Sequence, residues 1–395
     1  MRVALIGTRG VPARYGGFET AVEEIGRRLA ARGHEVVVYC RGAVAPRPDR
    51  HLGMELVHLP AARRKALETL SHTLLSVGHL VRQRRRVDAA IVFNAANAPF
   101  LPLLRLRGVP TAVHVDGLEW RRSKWRGAGR RYYRAVEALS VRWADALIAD
   151  AVGIADYYTE EFGAPTELLT YGAPVQDSPG RSRIAELGLE PGRYHVVVAR
   201  FEPENHVLEI VRGYTASQAS LPLVVVGSAP YSDTYTSDIS TVAASDPRIR
   251  LLGGVWDPEL LDELYANALT YLHGHSVGGT NPSLLRAMGA GTAVIAYDVN
   301  FNREVLGGTG SFFTSADDVP PLLHAAESDP GAVQREGDLL RERARDVYRW
   351  DAVAEGYEDL LIRLRDGQSQ RGTASGRRRP AVPLPGADDA VRAAQ

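Results

Sequence analysis

The sequence predicts an α/β protein of two doubly wound, Rossmann-like domains facing each other across a cleft. Three observations predict it. Short apolar runs alternate with amphipathic segments of helical period along nearly the whole chain, which implies parallel sheets covered by helices on both faces. The alternation pauses once, over the turn-rich stretch 173–183 with APVQDSPGR, and then begins again. The 395 residues also suit two domains, at ~100–200 residues each.

The first half opens with a buried strand, 3–6, then the loop GTRGVPARYGG and a helix over 18–32. Ala21, Val22, Ile25 and Leu29 share one face of that helix, and Gly33 stops it. Strand 35–39 follows, then apolar runs at 89–93, 111–115 and 146–149, with helical patterns at 66–83, 130–144 and 151–161. The second half repeats the scheme, with strands at 195–199, 223–227, 249–252, 269–273 and 293–297. Helices are expected near 205–217, at 257–267 and from 282, then at 318–328, 331–346 and 350–364. The expected division is therefore 1–178 and 179–349. The tail 367–395 has Pro, Gly, Ser and charge but little to bury, and is expected to be disordered.

Composition narrows the function classes. With 45% hydrophobic and 24% charged residues the chain can bury a large core. The single cysteine, Cys40, excludes an internal disulfide, and because MRVALIGTRG runs straight into a strand pattern no cleavable leader is expected. Arg105 and Arg107 interrupt the most apolar region, 89–115, so no stretch reaches the ~18 apolar residues of a membrane span. A cytoplasmic protein is expected, at most touching the inner face of the cell membrane. Net charge is zero, yet residues 1–178 carry 26 basic against 18 acidic residues while 179–366 carry 16 against 27. The basic half is expected to face something anionic.

Four constellations could carry chemistry. Gly7 to Glu19 joins a strand to a helix, so Gly16 and Gly17 could let an anion approach the helix N-terminus; the same glycines would also serve simple turns. The spacing does not match GxGxxG, which argues against a nicotinamide dinucleotide. HGHSVGGTNPSLLRAMGAG, 273–291, places Gly278, Gly279, Thr280 and Asn281 before a helix with Asn281 as cap and Pro282 first. That is a second anion-ready helix end, or an ordinary capped helix. Arg200 stands at the carboxyl end of strand 195–199, suited to a phosphate or to a surface pair with Glu202 or Glu204. Asp116 ends strand 111–115, and Arg121 to Arg134 hold seven basic residues and no acidic one, interleaved with Trp125, Tyr132 and Tyr133. With Arg63, Arg64, Lys65, Arg82 and Arg84–Arg86 they could form a cationic, aromatic face for anionic lipid, or a solvated helix face. No nucleic-acid motif accompanies them. His273 and His275 lack metal-site spacing and are expected to be satisfied polar groups lining the cleft, so no metal or cofactor is expected.

The motifs GTRGVPARYGGFET, VDGLEW, VVARFEPEN and HGHSVGGTNPSLLRAMGAG with YDVNFNREVLG resemble the retaining glycosyltransferases of family 4, which have the two-domain GT-B fold, and within them the bacterial polysaccharide rhamnosyltransferases. The resemblance covers about residues 1–365. It implies transfer of a hexosyl residue, rhamnosyl first, from a nucleoside-diphosphate sugar to a glycan or lipid-linked glycan with retention, and a last helix, 350–365, that crosses back to the first domain. It further implies that Asp116 contacts the transferred sugar where many relatives have histidine, and that Arg200, Gly16, Gly17 and Gly278–Asn281 bind the donor. Glu119, Trp120, Arg121, Arg122, Lys124 and Trp125 fall on the acceptor or membrane side. Three positions depart from the pattern: Asn205 replaces a lysine, and Gly278 and Arg286 replace two glutamates. Arg286 is therefore expected on phosphate or sugar, with Glu304 taking part of the missing carboxylate's role. An epimerase on the same fold and a non-catalytic nucleotide-sugar scaffold are the alternatives.

Overall fold

The computed structural model describes residues 1–13, 16–42, 48–62, 65–115, 118–122, 127–176, 180–228 and 233–379. Two sheets organise them. The first contains β1 (Arg2–Ile6), β2 (Glu35–Arg41), β3 (Arg50–His51), β4 (Met54–Leu59), β5 (Ala89–Phe93), β6 (Thr111–His114), β7 (Ala146–Ala149) and β8 (Glu167–Leu168). Its helices are α1 (Gly17–Ala31), α2 (Lys65–Arg82), α3 (Leu101–Leu106), α4 (Ala128–Trp143) and α5 (Val152–Phe162). The strand order is β3-β4-β2-β1-β5-β6-β7-β8, parallel except for the antiparallel β3–β4 pair. β1 is buried along its whole length, as a central strand covered on both faces must be. Ala21, Val22, Ile25 and Leu29 of α1 pack beneath it in one core cluster.

The second sheet contains β9 (His195–Val198), β10 (Leu223–Val226), β11 (Ile249–Gly253), β12 (Thr270–His273), β13 (Ala293–Tyr297) and β14 (Ser311–Phe313), in the order β11-β10-β9-β12-β13-β14 and parallel throughout. Its helices are α6 (Ser182–Glu186), α7 (Val207–Ala216), α8 (Asp233–Ala244), α9 (Pro258–Ala266), α10 (Pro282–Ala290), α11 (Asn300–Leu306), α12 (Val319–Ser328) and α13 (Pro330–Val347). Strands β3, β4, β8 and β14 and the helices α3, α6, α8 and α11 were not foreseen from the apolar pattern. Each is short, polar or only partly buried, so its periodicity is weak.

The last helix, α14 (Trp350–Arg365), lies against α1 of the first lobe, burying Val353, Tyr357, Leu360, Leu361 and Leu364. Ion pairs fasten its rim: Arg28 to Asp351 at 2.7 Å, Arg32 to Glu355 at 3.1 Å and Arg363 to Glu167 at 2.9 Å. The stretch after Asp366, expected to be disordered, is described as far as Arg379 and lies along the first lobe. Ser369 Oγ donates to Asp145 at 2.7 Å, Gln370 Nε2 to Glu167 at 2.8 Å, and the Arg378 guanidinium reaches Glu137 and Glu161, each at 2.6 Å. Ion pairs and polar hydrogen bonds hold this segment, with Ala374 its one buried apolar side chain among the described residues, which is why its composition concealed it. Among the described residues no helix is long and apolar enough to cross a membrane.

Candidate active site where the two lobes meet

A doubly wound sheet reverses its strand order at one point, and the loops leaving the strands there open a crevice at the carboxyl edge. In the first sheet that point lies between β1 and β5, and loop 7–16 follows β1. In the second it lies between β9 and β12, which are followed by loops 199–206 and 274–281. Both glycine loops singled out in the sequence, and Arg200, therefore stand at reversal points.

The two edges touch. Gly17, which opens α1 behind Gly16, lies against Pro282 at the start of α10; a Cβ there would stand 3.1 Å from the proline ring. Asn281 caps α10, accepting the Ser283 N–H at 2.9 Å. Gly279 packs so tightly on the Asp150 carboxylate that any side chain would collide with it. Thr280 Oγ1 donates to the Asp150 carbonyl at 2.6 Å, and Glu304 accepts the Val152 N–H at 2.9 and 3.1 Å, capping α5. Gly17, Gly279, Thr280 and Glu304 thus form the seam between lobes, and the Glu304 carboxylate, expected at the donor, is engaged by the first lobe. Burial, with the nearby Glu304 charge adding to it, raises the Asp150 carboxyl to about 7.

Arg200 faces Glu202 at 3.5 Å, the pair weighed as its alternative to phosphate. Its backbone is held by a neighbour: Asn205 Nδ2 donates to the Arg200 carbonyl at 2.8 Å, and Asn205 Oδ1 lies 2.8 Å from His275 Nδ1. The amide orientation assigned from this network makes His275 Nδ1 the donor and leaves the lone pair on Nε2. Nε2 is directed at Gly278, where a Cβ would stand 2.8 Å away, so the imidazole fills the space a side chain at 278 would enter. Burial holds the His275 ring well below the usual histidine range, and the positive charges of Arg122 and Arg200 add to this. His275 is therefore a neutral, oriented acceptor.

Arg122 comes from the first lobe. It pairs with Glu119 at 2.7 Å, both side chains being largely buried, and its charge reaches His275 across the seam. Trp120 lies under two guanidiniums, Arg130 at 5.1 Å and Arg134 at 4.9 Å from the ring centre. The cationic stretch is thus divided, part of it turned toward the second lobe. Arg286 is brought to its own lobe: its Nε donates to Asp262 at 2.6 Å and its Nη2 to the Pro258 carbonyl at 3.2 Å. Asp116, Lys124, Trp125 and the side chain of Arg121 lie outside the described residues. Among the described residues no group of three His, Cys, Asp or Glu is disposed to hold a metal ion.

Two residues of this seam were not picked out as site residues. His275 looked like a satisfied polar group because its partner, Asn205, is 70 positions away in sequence. Asp150 carried a usable signal, since it follows an apolar run directly, as Asp116 does.

Residues 16–172 match the family model described as glycosyl transferase 4-like domain, and residues 193–328 that of glycosyl transferases group 1. The α-maltose-1-phosphate synthase of Mycobacterium tuberculosis is 26% identical, over 92% of this chain and 100% of that protein. The glycogen synthase of the same organism is 25% identical, over 94% and 96%. Among solved structures, sucrose-phosphate synthase from Thermosynechococcus elongatus aligns with a TM-score of 0.79 at 20% identity, over 92% of this chain and 98% of that one. HepE of Anabaena in complex with UDP-glucose aligns at 0.73 and 14%, over 92% and 99%. The architecture is GT-B: two α/β lobes with their carboxyl edges opposed. With both family matches laid along it in order, the chain is a GT-B glycosyltransferase.

Proposed function

We propose that the protein moves a hexosyl residue, rhamnosyl first, from a nucleoside-diphosphate sugar to a saccharide or lipid-linked saccharide, with retention, in the synthesis of cell-surface polysaccharide. The observation that carries this reading is the meeting of the α1 and α10 N-termini at a seam that also gathers Arg200, Arg122 and the neutral His275. The rhamnosyl preference rests on the motif resemblance; UDP-sugars come next, since HepE was solved with UDP-glucose.

Sugar transfer needs positive potential where the leaving diphosphate gains charge, and each preorganised contact of that kind contributes about 3 kcal/mol in the transition state. Arg200 supplies a guanidinium and the two helix ends supply N–H groups. The bond from the anomeric carbon to the acceptor oxygen forms as the bond to the phosphate oxygen breaks, on the same face of the sugar. The acceptor proton passes to the departing phosphate oxygen. Asp116 orients the sugar or the acceptor, and His275 Nε2 accepts a hydrogen bond from a hydroxyl of the donor sugar. The lobes close about the paired crossings at 172–173 and 348–350, where Gly172 packs on Trp350 and the Ala173 N–H donates to the Tyr348 carbonyl at 2.7 Å. Closure excludes water and suppresses hydrolysis of the donor.

A panel of nucleotide sugars, each with and without a lipid-linked saccharide, tests the proposal through nucleotide release and the anomeric configuration of the product. Acceptor-dependent release with thymidine-diphospho-rhamnose and a retained configuration are expected. An epimer formed from donor alone, or donor binding without turnover on any acceptor, would replace it with the epimerase or the scaffold.

A further inference from the structure

The amino edge of the first sheet, opposite the seam, carries a second cationic feature. The C-terminal segment 371–377 crosses the ends of α3 and α4 and forms with them an open recess of about 520 Å³. Arg105, Arg142, Arg371 and Arg377 line it, together with Gly372, Ala374 and Ser375, and no acidic side chain does. Arg371 is paired with Asp145 at 3.2 Å. Arg105, Arg142 and Arg377 have no ion-pair partner among the described residues.

Like charges gathered this way repel, so something must hold them. The segment is tied down at both ends. Before it, Ser369 and Gln370 bond to Asp145 and Glu167; after it, Arg378 is clamped by Glu137, Glu161 and the Tyr157 hydroxyl, with its guanidinium 4.6 Å from the Phe162 ring centre. Asp145, Glu137, Glu161 and Glu167 are taken up by these anchors, with Asp145 also pairing Arg371 and Glu167 pairing Arg363. The guanidiniums between them are left facing one recess. Planar guanidinium groups bind phosphate through paired N–H···O contacts, and a recess lined by several of them is complementary to a phosphate and to no cation.

We propose that this arginine cradle binds a phosphate-bearing ligand at a site separate from the one for sugar transfer. Two sources share that chemistry: a soluble phosphate compound, and an anionic lipid headgroup beside which Leu106, 85% exposed and next to Arg105, would enter the acyl region.

The test uses the full chain at low salt with two probes, pyrophosphate followed by calorimetry and phosphatidylglycerol vesicles followed by co-sedimentation. The double variant Arg142→Ala/Arg377→Ala and, independently, Arg105→Ala are built on Arg200→Ala, which weakens the seam's own diphosphate site, and are compared with Arg200→Ala alone. Expected is binding of at least one probe that survives Arg200→Ala and weakens about tenfold or more in the double variant, with Arg105→Ala intermediate. Since none of the three arginines anchors the segment, thermal unfolding stays as in the parent. Binding of vesicles alone assigns a headgroup, and binding of pyrophosphate alone assigns a soluble phosphate. The proposal is overturned if Arg200→Ala binds neither probe, or if both cradle variants bind them as Arg200→Ala alone does. Sugar transfer can fail its own test while this binding persists, so the two are separable.

Discussion

Each lobe has a buried histidine at the carboxyl end of a strand, and the two have opposite surroundings. His114 closes β6 in the first lobe, stacked between Phe93 at 5.4 Å and Tyr171 at 6.0 Å, with Phe18 edge-on at 5.2 Å. Neither of its ring nitrogens has a hydrogen-bond partner among the described residues. His275 follows β12 in the second lobe, also buried, with Nδ1 on Asn205. Burial lowers the first to about 3 and the second well below its usual range, so both are neutral. Neutrality therefore does not set the two apart. The partner does: it fixes the tautomer of His275 and aims one lone pair at the glycine loop, whereas nothing in the aromatic box orients His114.

If the chemistry belongs to the second lobe's strand ends, Arg200→Ala should cut turnover about a hundredfold, the ~3 kcal/mol of one preorganised contact, with thermal unfolding unchanged. Steady-state kinetics at saturating donor would show it, and an unaffected rate would remove Arg200 from the site.

The seam between the lobes gives the next largest effect. Asp150 holds its proton more tightly in the folded chain, at about 7 against an ordinary ~3.9. The folded state then binds more protons than the unfolded one between those values, so stability falls as pH rises through that window and stays low above it. Asp150→Asn removes this penalty. A gain of about 2 kcal/mol is expected at pH 8 and almost none near pH 4, the full shift being offset in part by an amide still short of one partner. Denaturant midpoints at the two pH values measure it, and equal shifts at both would show that the Asp150 charge is not the cause.

Asn205→Asp alters the very partner that separates the two histidines. A carboxylate there still accepts from His275 Nδ1–H but favours the imidazolium and repels the Arg200 carbonyl. Turnover is expected to drop about tenfold at acid pH and to recover across about pH 6–8, the ordinary histidine range, while the parent shows no such limb. Superimposable pH profiles would mean that His275 plays no part in the reaction.

Much of this was legible in the sequence, and the boundary of legibility is physical. The alternation of apolar runs revealed β1, β5, β9 and β12 because central strands of a covered sheet are mostly apolar and buried along nearly their whole length. The cap formed by Asn281 and Pro282 was visible because it is local. Contacts made by distant segments were not: Asn205 with His275, Glu304 with Val152, and Arg378 with Glu137 span 70, 152 and 241 positions. Arg286 shows the same limit. Its residue type promised a phosphate contact, but Asp262 on the adjacent helix α9 takes up its guanidinium. A side chain's chemistry can be read in one dimension, and its partner cannot.

The smallest effect is expected at His114. His114→Phe puts a ring of similar shape into a box that is already aromatic and deletes two buried nitrogens that have no hydrogen-bond partner among the described residues. Leaving a buried polar group unsatisfied costs about 1–3 kcal/mol, but a neutral imidazole between ring faces recovers part of that, and the larger phenyl must find room. A net gain of about 1 kcal/mol is expected, as a small rise in the denaturant midpoint, with turnover and its pH profile as in the parent. His275→Phe, by contrast, strands the Asn205 oxygen and should lose both stability and activity. Should His114→Phe lose activity with stability intact, the first lobe's histidine would also face the substrate, and a directed hydrogen bond would no longer be what tells the two apart.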